Sequence, residues 1–144
     1  MASKLHQMIL GLVVRKMQEK GYEIVAFDGK EAWPNRKNIR IPTKIKRHRP
    51  DAIGFNFNEN SVCVGEAKTK QDLFSKRTRE QLIDYSATKT KSTNKNVEII
   101  LGIPQSAEKD LLNLLISLNL YKKPFISYVL LPKQLVENEK KIKL

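Results

Sequence analysis

The 144 residues suit a single domain (1–144), and a hydrophobic fraction of 40% with 29% charged residues is that of an ordinary globular protein. No apolar run approaches the ~20 residues of a membrane helix, the first eight residues lack a signal-peptide pattern, and the single Cys63 excludes an internal disulfide or a cysteine-rich zinc site. A cytoplasmic protein is the simplest expectation, and a net charge of +12 makes a polyanion its expected partner.

The first elements are a helix and a strand. Apolar residues recur at spacings of three and four over residues 4–20, which predicts an amphipathic helix that Ser3 caps and Gly21 ends. Residues 22–28 then predict a strand. Residues 29–49 are polar, basic and interrupted by prolines. They indicate a long, partly ordered loop, a feature that is usually functional or mobile inside a compact domain.

The rest of the chain alternates strands and helices. In chain order the pattern predicts a strand over 51–57, a turn at 58–60, a strand over 61–68, a helix over 71–89, a strand over 97–103, a helix over 107–120 and a strand over 125–131. Phe74, Leu82 and Tyr85 are expected on the inner side of the first of these helices, and Ser106 is expected to cap the second. This order predicts an α/β fold with a mixed central sheet and helices on both faces.

Positive charge is concentrated on either side of the predicted hairpin. Residues 30–49 carry eight Lys or Arg against one acid, and residues 68–95 carry eight against three acids. The candidate nucleic-acid-binding residues are Arg36, Lys37, Arg40, Lys44, Lys46, Arg47, Arg49 and Lys70. A generally basic, soluble surface or a ribosome-associated protein would show similar charge, so both stay open as alternatives to this interpretation.

Two carboxylates and one ammonium are expected at one end of the hairpin. Glu66 and Lys68 lie two residues apart, so they leave the strand on the same face, and the turn places Asp51 near Lys68 and Thr69, beside Glu66. Charges at the end of a buried strand are costly unless they are paired or bound to an ion. The carboxylates and the carbonyl of Ala67 would form a hard-oxygen site suited to Mg²⁺ or Mn²⁺, and Lys68 would act on a bound water and on the charged transition state. A plain ion pair at the hairpin end is the alternative.

The motif Pro50-Asp51 followed by Glu66-Ala67-Lys68 resembles that of the PD-(D/E)xK nucleases, which include restriction endonucleases and archaeal Holliday-junction resolvases. The resemblance implies a restriction-endonuclease-like fold in which Asp51 and Glu66 bind the metal and Lys68 acts on the water. It also implies a catalytic role for Gln81 on the following helix. A solvent-facing polar residue is the alternative for Gln81.

One departure from that family concerns the first helix. Many resolvase-like members carry a glutamate there, whereas residues 4–18 contain no acid. His6 or Gln7 occupies the corresponding region, so either a second metal site is missing or His6 substitutes for the acid. Of the remaining residues, His48 is expected to be an exposed loop histidine, and Trp33 either stacks on an unpaired base or anchors the basic loop.

The sequence therefore predicts a magnesium- or manganese-dependent DNA endonuclease. A chain of this length favours recognition of a junction, a flap or an end over a long base sequence. Symmetric cutting of two strands would require a homodimer, for which the helix over 107–120 or the strand over 125–131 offers a surface. The alternatives are a non-catalytic nucleic-acid-binding module on the same fold and a basic structural protein of a ribonucleoprotein.

Overall fold

The computed structural model describes residues 3–28 and 40–136. Helix α1 spans Lys4–Glu19, and the Ser3 hydroxyl caps it by accepting a hydrogen bond of 3.0 Å from the backbone N–H of His6. Gly21 then adopts a φ of 94°, which a residue without Cβ reaches at no steric cost and which turns the chain into strand β1, Glu23–Phe27. The predicted cap, helix and strand are confirmed.

The other elements follow the predicted order. They are β2 (Ala52–Asn56), β3 (Ser61–Ala67), α2 (Lys76–Ser86), β4 (Glu98–Pro104), α3 (Glu108–Ser117) and β5 (Ile126–Leu131). The sheet order is β1-β2-β3-β4-β5, with antiparallel pairing from β1 to β3 and parallel pairing from β3 to β5. The predicted α/β fold with a mixed central sheet flanked by helices is confirmed. In the described ranges, no helix is both long enough and apolar enough to cross a membrane.

Two details of the helices differ from the prediction. A 3-10 turn, Gln71–Phe74, precedes α2, and the Ser75 hydroxyl caps the helix by accepting from the Thr78 N–H at 3.2 Å. The helix therefore begins after Phe74, whose side chain is 69% exposed instead of inward, whereas Leu82 and Tyr85 are buried as predicted. Ser106 does not cap α3, because it lies inside a second 3-10 turn and the cap position falls to Ala107.

Each face of the sheet buries its own apolar cluster. Helix α1 covers one face, and α2 and α3 cover the other. The approach of α1 depends on glycines in β3 and β4: a Cβ on Gly65 would lie 2.7 Å from Val13 Cγ1, and one on Gly102 would lie 2.7 Å from Ile9 Cγ2. Small residues under α1 thus let the helix lie close to the strands, and its N-terminal turn reaches the end of β3.

Candidate active site

The hairpin register brings the two carboxylates together. Ala52 pairs with Gly65, so Asp51 lies opposite Glu66, and not opposite Lys68 or Thr69 as the turn length suggested. Two hydrogen bonds hold the pair: the Asp51 N–H donates to Glu66 Oε2 at 2.8 Å, and the Ala67 N–H donates to Asp51 Oδ2 at 2.9 Å. Backbone donors therefore fix the position of both acids without neutralising them.

Burial makes the charge on Glu66 costly. The side chain leaves β3 on the same face as Val64, toward α2, and the residue is only 2% exposed. Burial and then the neighbouring Asp51 carboxylate raise the pKa of Glu66 from 4.5 to about 7, against the opposing effect of Lys68. Near neutral pH this carboxyl therefore sits close to its titration point, and a nearby cation would favour its ionised form.

Lys68 links the carboxylates to α2. Its Nζ lies 3.2 Å from Glu66 Oε1 and donates a hydrogen bond to Gln81 Oε1. Gln81 is 2% exposed and faces the hairpin, which contradicts the alternative of a solvent-facing residue. The structure thus brings together all four residues predicted to be catalytic. Asp51 directly precedes β2, Glu66 lies in β3, Lys68 directly follows β3, and Gln81 lies in α2.

His6 reaches the same place from α1. Its Nε2 lies 3.3 Å from Asp51 Oδ2, and that contact is the main reason why the pKa of His6 is raised above 6.5, against the opposing effect of burial. Its Nδ1 is buried and has no hydrogen-bond partner in the part of the chain that the structure describes. The first helix therefore presents an imidazole to Asp51, and His6 lies where the sequence analysis noted the absence of an acid.

The donor atoms determine what the site can hold. Among the described residues, no group of three or more His, Cys, Asp or Glu side chains is arranged to hold a metal ion. The set that remains is the carboxylate pair of Asp51 and Glu66 with the main chain at Ala67. Two adjacent carboxylates are oxygen donors of the kind that a hard divalent cation prefers, and such a cation would favour the ionised form of Glu66.

An open pocket of about 250 Å³ surrounds these groups. Its volume far exceeds the ~15 Å³ that a single water needs. The lining residues are His6, Asp51, Glu66, Ala67, Lys68, Asp72, Ser75, Arg77, Thr78 and Gln81. The sequence analysis did not single out Arg77, although its position four residues before Gln81 on one helix face was a usable signal.

Part of the predicted basic surface forms a short turn anchored on α2. Ile45 and His48 pair with each other, and Arg47 donates to both carboxylate oxygens of Asp84 at 3.0 Å and to Glu80 at 3.1 Å. This contact lowers the pKa of Asp84. His48 is only 9% exposed, with its Nε2 3.7 Å from Glu80 and 3.8 Å from Asp84, so the expectation of an exposed histidine was wrong.

The candidate nucleic-acid-binding residues now fall into three groups. Arg40, Lys44, Lys46 and Arg49 are exposed. The last three lie in or directly beside the anchored turn and are called the basic-turn cations below. Arg47 is engaged by carboxylates, and Lys70 forms an ion pair with Asp110 at 3.1 Å. The predictions for Arg36, Lys37 and Trp33 lie outside the described residues.

Comparison with known proteins gives one structural likeness. No family model matches the chain, and no curated protein matches it. Among solved structures, the chain is similar to a repair endonuclease from Pyrococcus abyssi, with a TM-score of 0.46 and 15% sequence identity. The alignment covers 92% of this chain and 48% of that one, so this chain spans about half the length of the endonuclease chain. Function has to follow from the chemistry of the site.

Proposed function

We propose that the protein is a metal-dependent DNA endonuclease of the PD-(D/E)xK type. The observation that carries the proposal is the pair of adjacent carboxylates in an open pocket: Glu66 is buried, Asp51 is half-buried, and Lys68 lies 3.2 Å from Glu66. A hairpin-end ion pair would need one acid and one base. Asp51 beside Glu66 makes ionisation of Glu66 more costly, even with His6 in contact with Asp51, and a divalent cation between the two acids would offset that cost.

Each group has a role in phosphodiester hydrolysis. Asp51 and Glu66, with the Ala67 carbonyl, would hold Mg²⁺ or Mn²⁺, which when bound supplies positive charge at the phosphate and lowers the pKa of a coordinated water. Lys68 donates to the attacking water and to the developing negative charge, and Gln81 orients Lys68 through their hydrogen bond. The water oxygen bonds to phosphorus, one P–O ester bond breaks, and the leaving oxygen takes up a proton.

Substrate binding rests on the surface charge. The basic-turn cations are exposed and lie just before Pro50 and Asp51 in the chain, so they can neutralise phosphates of a nucleic acid whose backbone enters the pocket that Asp51 lines. Phosphate contacts carry little base information, so we expect recognition of a DNA shape such as a junction, a flap or an end. Cutting two strands symmetrically would require a homodimer, which sedimentation of the protein with and without DNA would detect.

A panel of labelled substrates tests the activity. Duplex, single-stranded, flap and four-way-junction DNA are incubated with magnesium, manganese or EDTA, and we expect metal-dependent cutting of at least one structured substrate. DNA binding without cutting under every condition would favour the alternative, a non-catalytic nucleic-acid-binding module on the same fold.

Lys68→Ala separates catalysis from structure. Removing a contact made mainly in the transition state lowers the single-turnover rate by roughly a hundredfold or more while leaving DNA affinity nearly unchanged. Because Lys68 is buried, the melting temperature is measured on the same sample, and Lys68→Met serves as a second variant that keeps the aliphatic packing. Lys109→Ala, on the exposed side of α3, is the control for loss of one positive charge. Normal cutting by both Lys68 variants would contradict the assignment.

A further inference from the structure

Arg77 lines the pocket beside Lys68 and differs from it in its contacts. It lies in the first turn of α2, is exposed, and lines the pocket that contains Asp51 and Glu66. Across residues 3–28 and 40–136, its guanidinium forms no hydrogen bond or ion pair. By contrast, the other pocket cation, Lys68, is engaged by both Glu66 and Gln81. Arg77 therefore keeps its full set of donors for a ligand.

The geometry of α2 directs Arg77 toward the carboxylates. Residues four apart on a helix lie on one face about 6 Å from each other, so Arg77 stands one turn before Gln81, which already contacts Lys68. The same charges act on the buried Tyr85 hydroxyl. Burial and then Glu66 and Asp51 raise the pKa of Tyr85, whereas Arg77 lowers it. Arg77 and the two acids thus line the same pocket.

The nearby acids do not neutralise Arg77. Asp72 also lines the pocket, but its Oδ2 accepts a hydrogen bond from the Thr69 N–H at 2.9 Å. At the hairpin end, Glu66 accepts a hydrogen bond from the Asp51 N–H, and Asp51 accepts one from the Ala67 N–H. A pocket lined both by acids and by a guanidinium that is unpaired within the described ranges suits an anion that carries its own cation, which describes a metal-bound phosphate.

On this basis, which rests on the proposed function, we infer that Arg77 binds the non-bridging oxygens of the phosphodiester that is cut. The guanidinium presents paired donors to a tetrahedral anion, and Asp51 and Glu66 are the residues that would hold a divalent ion in the same pocket. Arg77 is therefore a substrate-binding residue that selects a phosphate at the pocket and orients it before hydrolysis.

Binding is measured first, without metal, so that it does not depend on cutting. Fluorescence anisotropy with the tightest-binding DNA of the panel is followed in EDTA over a series of salt concentrations. Arg77→Ala should weaken binding roughly tenfold or more at low salt, and the logarithmic salt slope should become shallower by about 0.9. Arg77→Lys should recover part of the loss, because it keeps the charge and loses the fork.

Arg79→Ala is the matched control. Arg79 is exposed on the same helix, and its guanidinium reaches the Ser117 hydroxyl at 3.4 Å, away from the pocket. An equal loss of binding in Arg77→Ala and Arg79→Ala would overturn the inference, because it would reflect general charge. Wild-type binding and cutting by Arg77→Ala would also overturn it and leave the nuclease proposal standing.

A double-mutant cycle places the phosphate. Without metal, Glu66 repels a bound phosphate, so Glu66→Gln should tighten DNA binding, and the gain should shrink in the Arg77→Ala background. Additive effects would overturn the placement of Arg77 opposite the carboxylates. If Arg77→Ala loses binding and the cycle couples while the wild type cuts no substrate, the phosphate contact is supported and the nuclease proposal fails separately.

Discussion

Replacing Glu66 by glutamine should stabilise the metal-free protein at alkaline pH. The side chain is buried, and burial followed by Asp51 raises its pKa from 4.5 to about 7. In the unfolded chain the same group titrates near its ordinary value, so the folded state binds the proton more tightly. The stability that this group contributes is therefore fully present below about pH 4.5 and is lost as the pH rises through about 7.

The magnitude follows from the pKa. A rise from 4.5 to about 7 corresponds to about 3 kcal/mol, at about 1.4 kcal/mol per pKa step. Glutamine keeps the size of Glu66 and an acceptor for the Asp51 N–H, but it cannot ionise. Denaturant unfolding in EDTA should give a small difference near pH 5, and near pH 8 the variant should be more stable by up to about 3 kcal/mol. In a thermal scan this equals roughly 6–12 °C.

Two controls make the comparison specific. Glu59→Gln, in the exposed turn between β2 and β3, should show no pH-dependent gain. Manganese should stabilise the wild type near pH 8 more than it stabilises Glu66→Gln, because binding to the folded state adds stability by mass action. If Glu66→Gln is less stable than the wild type near pH 8, the ion pair with Lys68 outweighs the cost of the buried charge, and this reasoning is wrong.

Two further predictions concern the surface and the sheet. Changing all three basic-turn cations to alanine should make the logarithmic salt slope of DNA binding shallower by up to about 2.7, at about 0.9 per phosphate contact. Arg47→Ala should mainly lower the melting temperature, because Arg47 bonds to Asp84. An unchanged slope in the triple variant would show that DNA binds to another surface. Gly102→Ala should destabilise the fold by about 1–3 kcal/mol, because its Cβ would lie 2.7 Å from Ile9 Cγ2. A Cβ on Gly11 would meet no atom of the described residues within 4 Å, so Gly11→Ala should instead add about 0.5–1 kcal/mol by its helix propensity. Equal effects of the two alanines in urea unfolding would refute the close approach of α1.

The order of elements and the main chemical motif could be read from the sequence. Apolar periodicity distinguishes helix from strand, and local signals such as Ser3 and Gly21 set the ends of α1 because capping depends on neighbouring residues alone. The spacing of Glu66 and Lys68 placed both side chains on one face of β3, since alternation along a strand is a local rule. Where local signals competed, as between Phe74 and the Ser75 cap, the prediction was wrong by a few residues.

The tertiary structure decided which residues meet. His48 is buried because the turn that carries it packs on Glu80 and Asp84, a contact that no pattern in residues 45–48 signals. His6 meets Asp51 because glycines in β3 and β4 let α1 lie close to the sheet, and Arg77 joins the pocket because α2 crosses beside the hairpin. These contacts join segments tens of residues apart in the chain. Such pairings depend on how whole elements pack, whereas periodicity records only which face of each element is buried.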